Sequence, residues 1–237
     1  MRKKILSILF IVSILLLTSL NSFGVKASGN VASEERSVSK FHSVKVMNNM
    51  IVNITQGATQ TVIIKTDDNL FPNIKTEVKR GELILSIYGI LTNVTTIEVD
   101  IVMTEINSLN VSSQARLDVQ GDVNVNDINL TVNGTGSITI NVATDFIFSK
   151  VIGSGTITVS GTTSTHEIEI AGTGLVNAES LSSENVKINL SNGGNCKLYV
   201  KEKMDINAGF GGGNIEYRGE PIIQGKIFGI TNLTYLE

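Results

Sequence analysis

The sequence predicts an all-β fold, a parallel β-helix in which the chain winds through stacked coils. Two observations support this prediction. A Gly-x-Gly signal returns about every 19 residues through the second half of the chain, and apolar residues alternate with polar ones between the signals. A fixed period of this length is typical of stacked structural units. Alternation with a period of two indicates strands that bury one face.

Seven units are visible when the sequence is aligned on this signal. Their first positions are Ser113, Gly134, Gly153, Gly172, Asn192, Gly211 and Gly229. Four positions later stand the apolar residues Leu117, Ile138, Ile157, Val176, Cys196, Ile215 and Leu233. Stacked coils would place equivalent residues above one another at a spacing of about 4.8 Å. We therefore expect Ile138, Ile157 and Val176 to lie in register on neighbouring coils.

The paired glycines stand where the alternation would otherwise direct a side chain inward, as at Gly153 and Gly155. A strand position without a side chain is favoured where the backbone turns sharply or crowds its neighbours. The glycines therefore predict one corner of each coil.

Residues 1–27 have the pattern of an export signal peptide. Residues 2–4 are basic, residues 5–17 are apolar apart from serines, and cleavage is expected near Ala27. The apolar stretch is short for a membrane span, so we expect no membrane insertion after cleavage; an uncleaved anchor is the alternative. The protein is therefore expected to be exported, to the periplasm, the medium or the cell surface.

The remaining chain is expected to form one continuous domain over residues 41–237. Residues 28–40 are polar and predict a flexible leader without a core. Residues 41–110 are rich in strand patterns but lack the 19-residue register, so we expect irregular β coils that cap the helix. Residues 111–237 are expected to form the regular coils. A cap is needed because an open coil exposes unpaired strand edges.

Charge and cysteine content exclude several classes of function. Removal of residues 1–27 leaves 15 of the 19 basic residues and all 22 acidic ones, a net charge near −7. This balance argues against nucleic acid as a partner. The single cysteine, Cys196, falls in an apolar column and is expected to be buried. His42 and His166 lack metal-ligand spacing, so we expect no metal or cofactor.

Two carboxylates on the expected outer surface raise the possibility of a polysaccharide lyase or hydrolase. Glu167 and Glu169 are two residues apart on one strand, and such enzymes need a carboxylate pair. Each glutamate, however, has a lysine on a neighbouring unit: Lys187 for the first and Lys150 for the second. We therefore predict ion pairs on a solvated surface and a protein without enzymatic activity.

The better functional hypothesis is a binding surface. Two outward columns, five and seven positions after each unit start, carry hydrogen-bonding side chains at a regular pitch. From them we take as the candidate ligand face Asn141, Asn177, Glu179, Tyr199 and Arg218. A flat polar surface of this kind suits an extended polymer, such as an extracellular glycan or a strand of a surface protein. The alternative is a structural envelope protein whose polar surface serves solubility alone.

The C-terminal coil supplies a second hypothesis. The apolar columns continue to Leu233 and Tyr235, with no pattern that caps them. An uncapped coil favours edge pairing with another copy, so we expect self-association through residues 227–237.

Several segments together resemble a known family. They are Phe41-His42-Ser43-Val44, Val52-Asn53-Ile54-Thr55-Gln56-Gly57, Asp67-Asp68-Asn69-Leu70, Gly81-Glu82-Leu83-Ile84-Leu85 and Gly213-Asn214-Ile215-Glu216-Tyr217-Arg218-Gly219-Glu220-Pro221. With the serial Gly-x-Gly units, they make residues 41–237 similar to the auto-transporter adhesin, head GIN-domain family of bacterial exported proteins. The chain departs from that pattern at residues 112–115, where Ser-Ser-Gln-Ala replaces Ser-Gly-x-Gly. The resemblance implies a right-handed, single-stranded β-helix outside the cytoplasm and an adhesin-like role, without catalytic residues to assign.

Overall fold

The computed structural model describes residues 24–228 and 231–236. The export signal predicted for residues 1–27 lies mostly outside these residues. Strands make up most of the described chain, with one short 3₁₀ helix at Asp68–Asn73. The strands are β1 (Val25–Lys26), β2 (Val31–Glu35), β3 (Ser43–Val46), β4 (Ile51–Gln56), β5 (Thr61–Asp67), β6 (Ile74–Lys79), β7 (Glu82–Ile87), β8 (Leu91–Thr92), β9 (Ile97–Met103), β10 (Ser108–Ser113), β11 (Arg116–Asn124), β12 (Asp127–Gly134), β13 (Ser137–Gly153), β14 (Thr156–Gly172), β15 (Leu175–Ser191), β16 (Asn195–Ala208), β17 (Gly213–Arg218), β18 (Ile222–Ile227) and β19 (Thr231–Tyr235).

The strands stack in parallel into a β-solenoid of about seven turns, so the all-β parallel β-helix is confirmed. Its wall has two faces. The first face stacks β9, β4, β11, the first parts of β13 to β16, β17 and β19. The second face stacks β7, β3, β10, β12, the second parts of β13 to β16, and β18. Each of the long strands β13 to β15 therefore bends from one face to the other.

The apolar columns lie in register as the sequence predicts. Ile138 is paired with Ile157, and Ile157 with Val176. The same column continues through Cys196 and Ile215. These side chains are all at most 1% exposed, so the interior between the two faces is one apolar core.

The glycine corner is confirmed, and its two glycines have different reasons to be there. Gly153 has a φ of +107°, in the left-handed region that favours glycine. Gly155 is required by space: a Cβ at that position would lie 2.7 Å from the carbonyl oxygen of Gly136 on the adjacent coil. Ser113, which replaces the glycine in the first unit, accepts the same kind of conformation with a φ of +69°.

The N-terminal end of the solenoid is closed by antiparallel strands. On the first face, β5 pairs antiparallel with β9, and β2 with β5. On the second face, β6 pairs antiparallel with β7. Val62 and Ile64 of β5 are fully buried where β5 pairs with β9, and they complete the core at this end.

Regular coils extend further towards the N-terminus than the expected boundary at residue 111. Val44 is in register with Leu109, and Val52 with Leu117, so β3 and β4 form a regular coil below β10 and β11. A further coil, β7 with β9, lies below them. Counted from the cap, the first coil is β7 with β9, the second is β3 with β4, and the third is β10 with β11. The chain thus starts in the second coil, continues through the cap and the first coil, and then crosses to the third. Because coils that adjoin in space are separated in sequence here, the 19-residue period is hidden.

Residues 28–40 contribute to the fold, in contrast to the flexible leader expected from their polarity, and residues 24–27 contribute as well. β1 pairs in parallel with β8, and β2 forms the outer strand of the cap. The fully buried carboxylate of Asp67 accepts hydrogen bonds from the backbone N–H groups of Gly29, at 2.8 Å, and Thr95, at 2.9 Å. The hydrogen bond from the Thr95 N–H is the main cause that lowers the pKa of Asp67. Backbone pairing, which does not depend on side-chain polarity, therefore orders this segment.

Cys196 is a core residue, as its column predicted, and His166 is buried in the core as well. Burial raises the pKa of the Cys196 thiol to about 12, so the thiolate is disfavoured. His166 is fully buried, and its Nε2 lies 2.8 Å from the Oγ of Ser149 on the adjacent coil. Burial lowers the pKa of His166 to about 3, so its imidazole is neutral at physiological pH.

Candidate binding surface

The outer side of the first face carries an ordered column of polar residues, which we call the first outward column. Its members are Asp100, Asn53, Asp118, Thr139, Thr158, Asn177, Lys197 and Glu216, each paired with the next. The sequence placed the members from Asp118 onward in this column, and Asp100 and Asn53 extend it into the cap. Acids and amides occupy its N-terminal part, and Lys197 and Glu216 form an ion pair of 3.2 Å at the other end.

The second outward column, expected seven positions after each unit start, is interrupted by two bulges. Asp122 rather than Gln120 is paired with Asn141, and Ser180 rather than Glu179 is paired with Ser160. Beyond the second bulge, the register resumes with Ser182 against Tyr199. The extra residues were invisible to an alignment that assumed constant spacing, because a bulge adds residues to one strand only.

Three of the five candidate residues come together at the second bulge. The Nη2 of Arg218 donates a hydrogen bond of 2.8 Å to the carbonyl oxygen of Glu179, two coils away. The carboxylate of Glu179 lies 3.6 Å from the same nitrogen, and the guanidinium lies 6.0 Å from the centre of the Tyr199 ring. All three side chains are half-buried. We call this group the Arg218 cluster.

The other two candidate residues lie apart from that cluster. Asn141 donates to the carboxylate of Asp122 and accepts a 3.0 Å hydrogen bond from the Oγ of Ser160. Asn177 accepts a hydrogen bond of 3.4 Å from the backbone N–H of Glu179, so it supports the start of the bulge. The first face therefore carries two polar centres on one surface, joined by the first outward column.

Amide ladders form a feature that the sequence argument missed. Asn232 donates to Asn214 at 3.0 Å, and Asn214 donates to Asn195 at 3.1 Å. The signal was available, because these three asparagines occupy the same position of successive units. Exposed aromatic rings were missed as well: Phe210 and Tyr88 are more exposed than Tyr199.

The two carboxylates considered for catalysis are both engaged in ion pairs. Lys187 lies 2.7 Å from Glu167, and Lys150 lies 2.8 Å from Glu169, as the sequence predicted. The hydrogen bond that the Lys187 ammonium donates to Glu167 is the main cause that raises the pKa of Lys187. The arrangement supports a charged ladder on the second face.

A shallow apolar cleft lies beside the cap. Its volume is about 420 Å³. The lining residues are Asn48, Asn49, Met50, Ile51, Ile87, Leu91, Val94, Thr95, Thr96 and Ile97. Apolar side chains with a few polar groups at the rim are typical of sites for small apolar ligands.

Within residues 24–228 and 231–236, no group of three or more His, Cys, Asp and Glu residues is arranged to hold a metal ion. Helices of the length and apolarity that a membrane crossing requires are also not found in this part of the chain.

The family of the chain follows from its match to a family model. Residues 40–221 match the family described as "Putative auto-transporter adhesin, head GIN domain". This range covers most of the chain, so the protein belongs to that family, as the sequence resemblance indicated. The matched range ends just before β18 and β19. Comparison with curated proteins gives no match.

Solved structures with the same fold come from Bacteroides and Parabacteroides species. A "putative adhesin" of Bacteroides fragilis is 18% identical, covers 90% of this chain and 100% of its own, and has a TM-score of 0.79. A "putative adhesin" of Parabacteroides merdae is 20% identical, covers 90% and 99%, and has a TM-score of 0.72. A "putative lipid binding protein" of Parabacteroides distasonis is 20% identical, covers 90% and 99%, and has a TM-score of 0.70. At these identities the likeness concerns the fold.

Proposed function

We propose that the protein is an exported, non-enzymatic adhesin-like module that binds an extended polymer on the outer side of its first face. The polymer is an extracellular glycan or a strand of a surface protein. The observation that carries the proposal is the first outward column, in which polar side chains from Asp100 to Glu216 repeat at the spacing of the coils. Membership of an adhesin family supports the same role.

The geometry of this face suits a polymer better than a compact ligand. Strand spacing repeats the hydrogen-bonding groups about every 4.8 Å, so a chain that lies along the solenoid axis meets equivalent groups repeatedly. Weak contacts of this kind add up along the length of the ligand. The Arg218 cluster adds an anchor, since the Tyr199 ring and the guanidinium of Arg218 offer one apolar and one charged surface.

A comparison of matched variants tests the proposal. The protein without residues 1–23 is applied to a glycan array and to whole bacterial and host cells. Asn177→Ala and Tyr199→Ala on the first face should each weaken binding at least fivefold. Asn189→Ala provides the control, because Asn189 makes a similar amide contact of 3.3 Å with Asn207 on the second face. Thermal melts should show that all three variants keep the fold.

Two outcomes would contradict this function. One is that no glycan or cell surface binds the protein at micromolar concentrations. The other is that Asn189→Ala weakens binding as much as the first-face variants do, which would place the ligand elsewhere. Cleavage of a bound polysaccharide would instead favour the carbohydrate-active enzyme, and absence of both activities would favour a structural envelope protein.

The apolar cleft supports a second candidate function, the binding of a small apolar ligand such as a lipid chain. Met50, Leu91 and Val94 line it, and one structural relative is described as a lipid binding protein. A fluorescent fatty acid should then bind with micromolar affinity, and Leu91→Asp should abolish that binding. Equal binding by the variant and the parent protein would exclude the cleft.

A further inference from the structure

The C-terminal end of the solenoid leaves core positions open. Ile223 and Ile227 of β18 continue the columns of Met204 and Ala208, which are fully buried. Yet Ile223 is 39% exposed and Ile227 is 44% exposed. Leu233 of β19 is in the same situation, at 36%. These residues face the interior, but no described residue covers them from the next coil position.

The backbone at this end is open as well. β18 pairs with β16 on one side, and β19 pairs with β17 on one side. The backbone N–H groups of Phe228 and Leu236 point back to the preceding coil. That of Phe228 donates to the carbonyl oxygen of Ala208 at 2.9 Å, and that of Leu236 donates to the carbonyl oxygen of Tyr217 at 2.8 Å. In a parallel ladder alternate residues point the same way, so the N–H groups of Ile227 and Leu233 point outward. Such an edge is a template for another strand.

We propose that a second copy of this chain docks tail to tail on β18 and β19 through antiparallel strand pairing. The opposite end of the molecule is closed by β2, β5 and β6, so head-to-tail stacking has no parallel edge to join. The cap also shows that antiparallel strands seat well on these coils. A two-fold axis makes the same end of both copies meet, which closes the assembly as a dimer.

The rise of the coil selects one pairing. β19 follows β18 by half a coil, so it stands about half a strand spacing higher along the axis. If β18 paired with β18 of the second copy and β19 with its β19, the distance between the paired strands would therefore differ between the two faces. Pairing β18 of one protomer with β19 of its partner gives equal gaps on both faces. This arrangement corresponds to a two-fold axis parallel to the strands, and both edges are satisfied at once.

Strand alternation then defines which residues meet. Inward positions of the two faces oppose each other across a coil, which sets Ile227 against Leu233 of the second copy and Gly225 against its Tyr235. An aromatic ring opposite a glycine fills the space that the glycine leaves open. The outward pair is Lys226 against Thr234. Charge does not oppose the contact, since Lys226 is the only charged residue in the described strands β18 and β19.

Charge substitutions at the inward pair test the proposal. Static light scattering after size exclusion should give twice the protomer mass for the protein without residues 1–23. Ile227→Lys together with Leu233→Lys places like charges opposite each other and should raise the dimer dissociation constant at least tenfold. Ile227→Lys together with Leu233→Glu places opposite charges there and should restore the dimer. Ile152→Lys, at an exposed position within the coils, should leave the dimer intact.

Cysteine variants test the register. Lys226 and Thr234 are exposed, and their pair lies between hydrogen-bonded pairs, where the Cα atoms are about 4.5 Å apart. That separation fits a disulfide bond. A mixture of Lys226→Cys and Thr234→Cys proteins should give a cross-linked dimer under mild oxidation, while each variant alone should not. The native Cys196 is buried and should not interfere.

The outcomes separate this proposal from the polymer-binding function. A monomeric mass at 100 µM protein overturns the dimer and leaves the binding face untouched. Cross-linking by a single cysteine variant alone overturns the proposed pairing of β18 with β19. Loss of polymer binding with an intact dimer would count against the proposed function alone.

Discussion

The two ends of the solenoid differ in how their outermost strands and core side chains are covered. At the N-terminal end, β5 and β6 reverse direction and pair with the first coil, and β5 buries Val62 and Ile64. At the C-terminal end, β18 and β19 continue the parallel winding and then leave their edges and inward side chains open. In this protein, strands that depart from the repeat cover the N-terminal end. At the end that keeps the repeat, the described residues leave the strand edges uncovered.

The outermost strands show the same contrast in their side chains. β2 carries Glu34 and Glu35, and β6 carries Lys75, Glu77 and Lys79. Charged residues on an edge strand oppose further pairing. β18 and β19 together carry one charge. The N-terminal edge is therefore protected against association, and the C-terminal edge is not.

The largest expected effect comes from one truncation made at both ends. Ile64→Ala removes buried methyl groups from the cap, and its cost should be about 3–4 kcal/mol of unfolding free energy. Ile223→Ala removes the same atoms from the open end, where a solvated side chain contributes less, and should cost under about 1 kcal/mol. Chemical denaturation at a concentration where the protein is monomeric compares them. Equal losses would mean that the open end is covered in solution.

A substitution at the corner between the ends should rank next. Gly155→Ala places a Cβ 2.4 Å from the Cγ1 of Val132 and 2.7 Å from a backbone oxygen. The backbone must shift, and we expect a loss of about 2–3 kcal/mol. Gly209→Ala is the control, because its Cβ meets only the Leu190 oxygen at 3.4 Å. Its cost should stay within about 1 kcal/mol, and thermal melts of both variants measure the difference.

Acid should weaken the coils between the two ends without a substitution. The pKa of His166 is lowered from 6.5 to about 3 by burial. Below pH 6.5 the unfolded chain binds a proton that the folded chain does not, so stability falls as the pH falls towards 3. From pH 7 to pH 5 this contribution is about 2 kcal/mol. Urea titrations at both values measure it.

The control for the acid effect replaces both buried polar partners. Ser149→Ala with His166→Val removes the hydrogen-bonded pair and matches the apolar neighbours in both columns. The double variant should lose most of the pH dependence between pH 7 and pH 5. A pH dependence equal to that of the parent protein would show that other groups cause the acid response.

The coils were predictable from sequence because each coil repeats the same environments. Ile138, Ile157 and Val176 occupy equivalent buried positions on three successive coils, so their spacing in the sequence indicates the stack. The cap was not predictable in the same way. An antiparallel strand such as β5 has the same alternation as a coil strand, and nothing local indicates its direction or its partner. Residues 31–35 lack a hydrophobic face, so their place in β2 comes from backbone pairing that composition does not record.

The candidate site was predictable to the extent that it follows the columns. The first outward column from Asp118 to Glu216 has the members that constant spacing predicts. The Arg218 cluster forms for another reason: the bulge after Ala178 brings Glu179 within reach of a residue two coils away. The contact that this bulge creates depends on the three-dimensional path of the chain, which the spacing of the units does not record.

The smallest effect concerns the first residues of the N-terminal end. A protein that begins at Val25 keeps two backbone hydrogen bonds between β1 and the β8 segment, from Val25 to Ile90 at 2.8 Å and from Ala27 to Thr92 at 2.9 Å. A protein that begins at Ser28 loses both, and the 2.8 Å bond from Asn69 to the carbonyl oxygen of Lys26. We expect the shorter protein to be less stable by about 1–2 kcal/mol.

Thermal melts of the two proteins measure this difference, and the Asn69→Ala background provides the control. There the loss on shortening should be smaller, because one of the three bonds is already absent. Identical melting temperatures would show that β1 adds nothing to the cap. If residues 1–27 act as the expected export signal, cleavage near Ala27 would remove β1 and cleavage before Val25 would keep it. The mass of the mature protein then distinguishes a closed end with β1 from one without it.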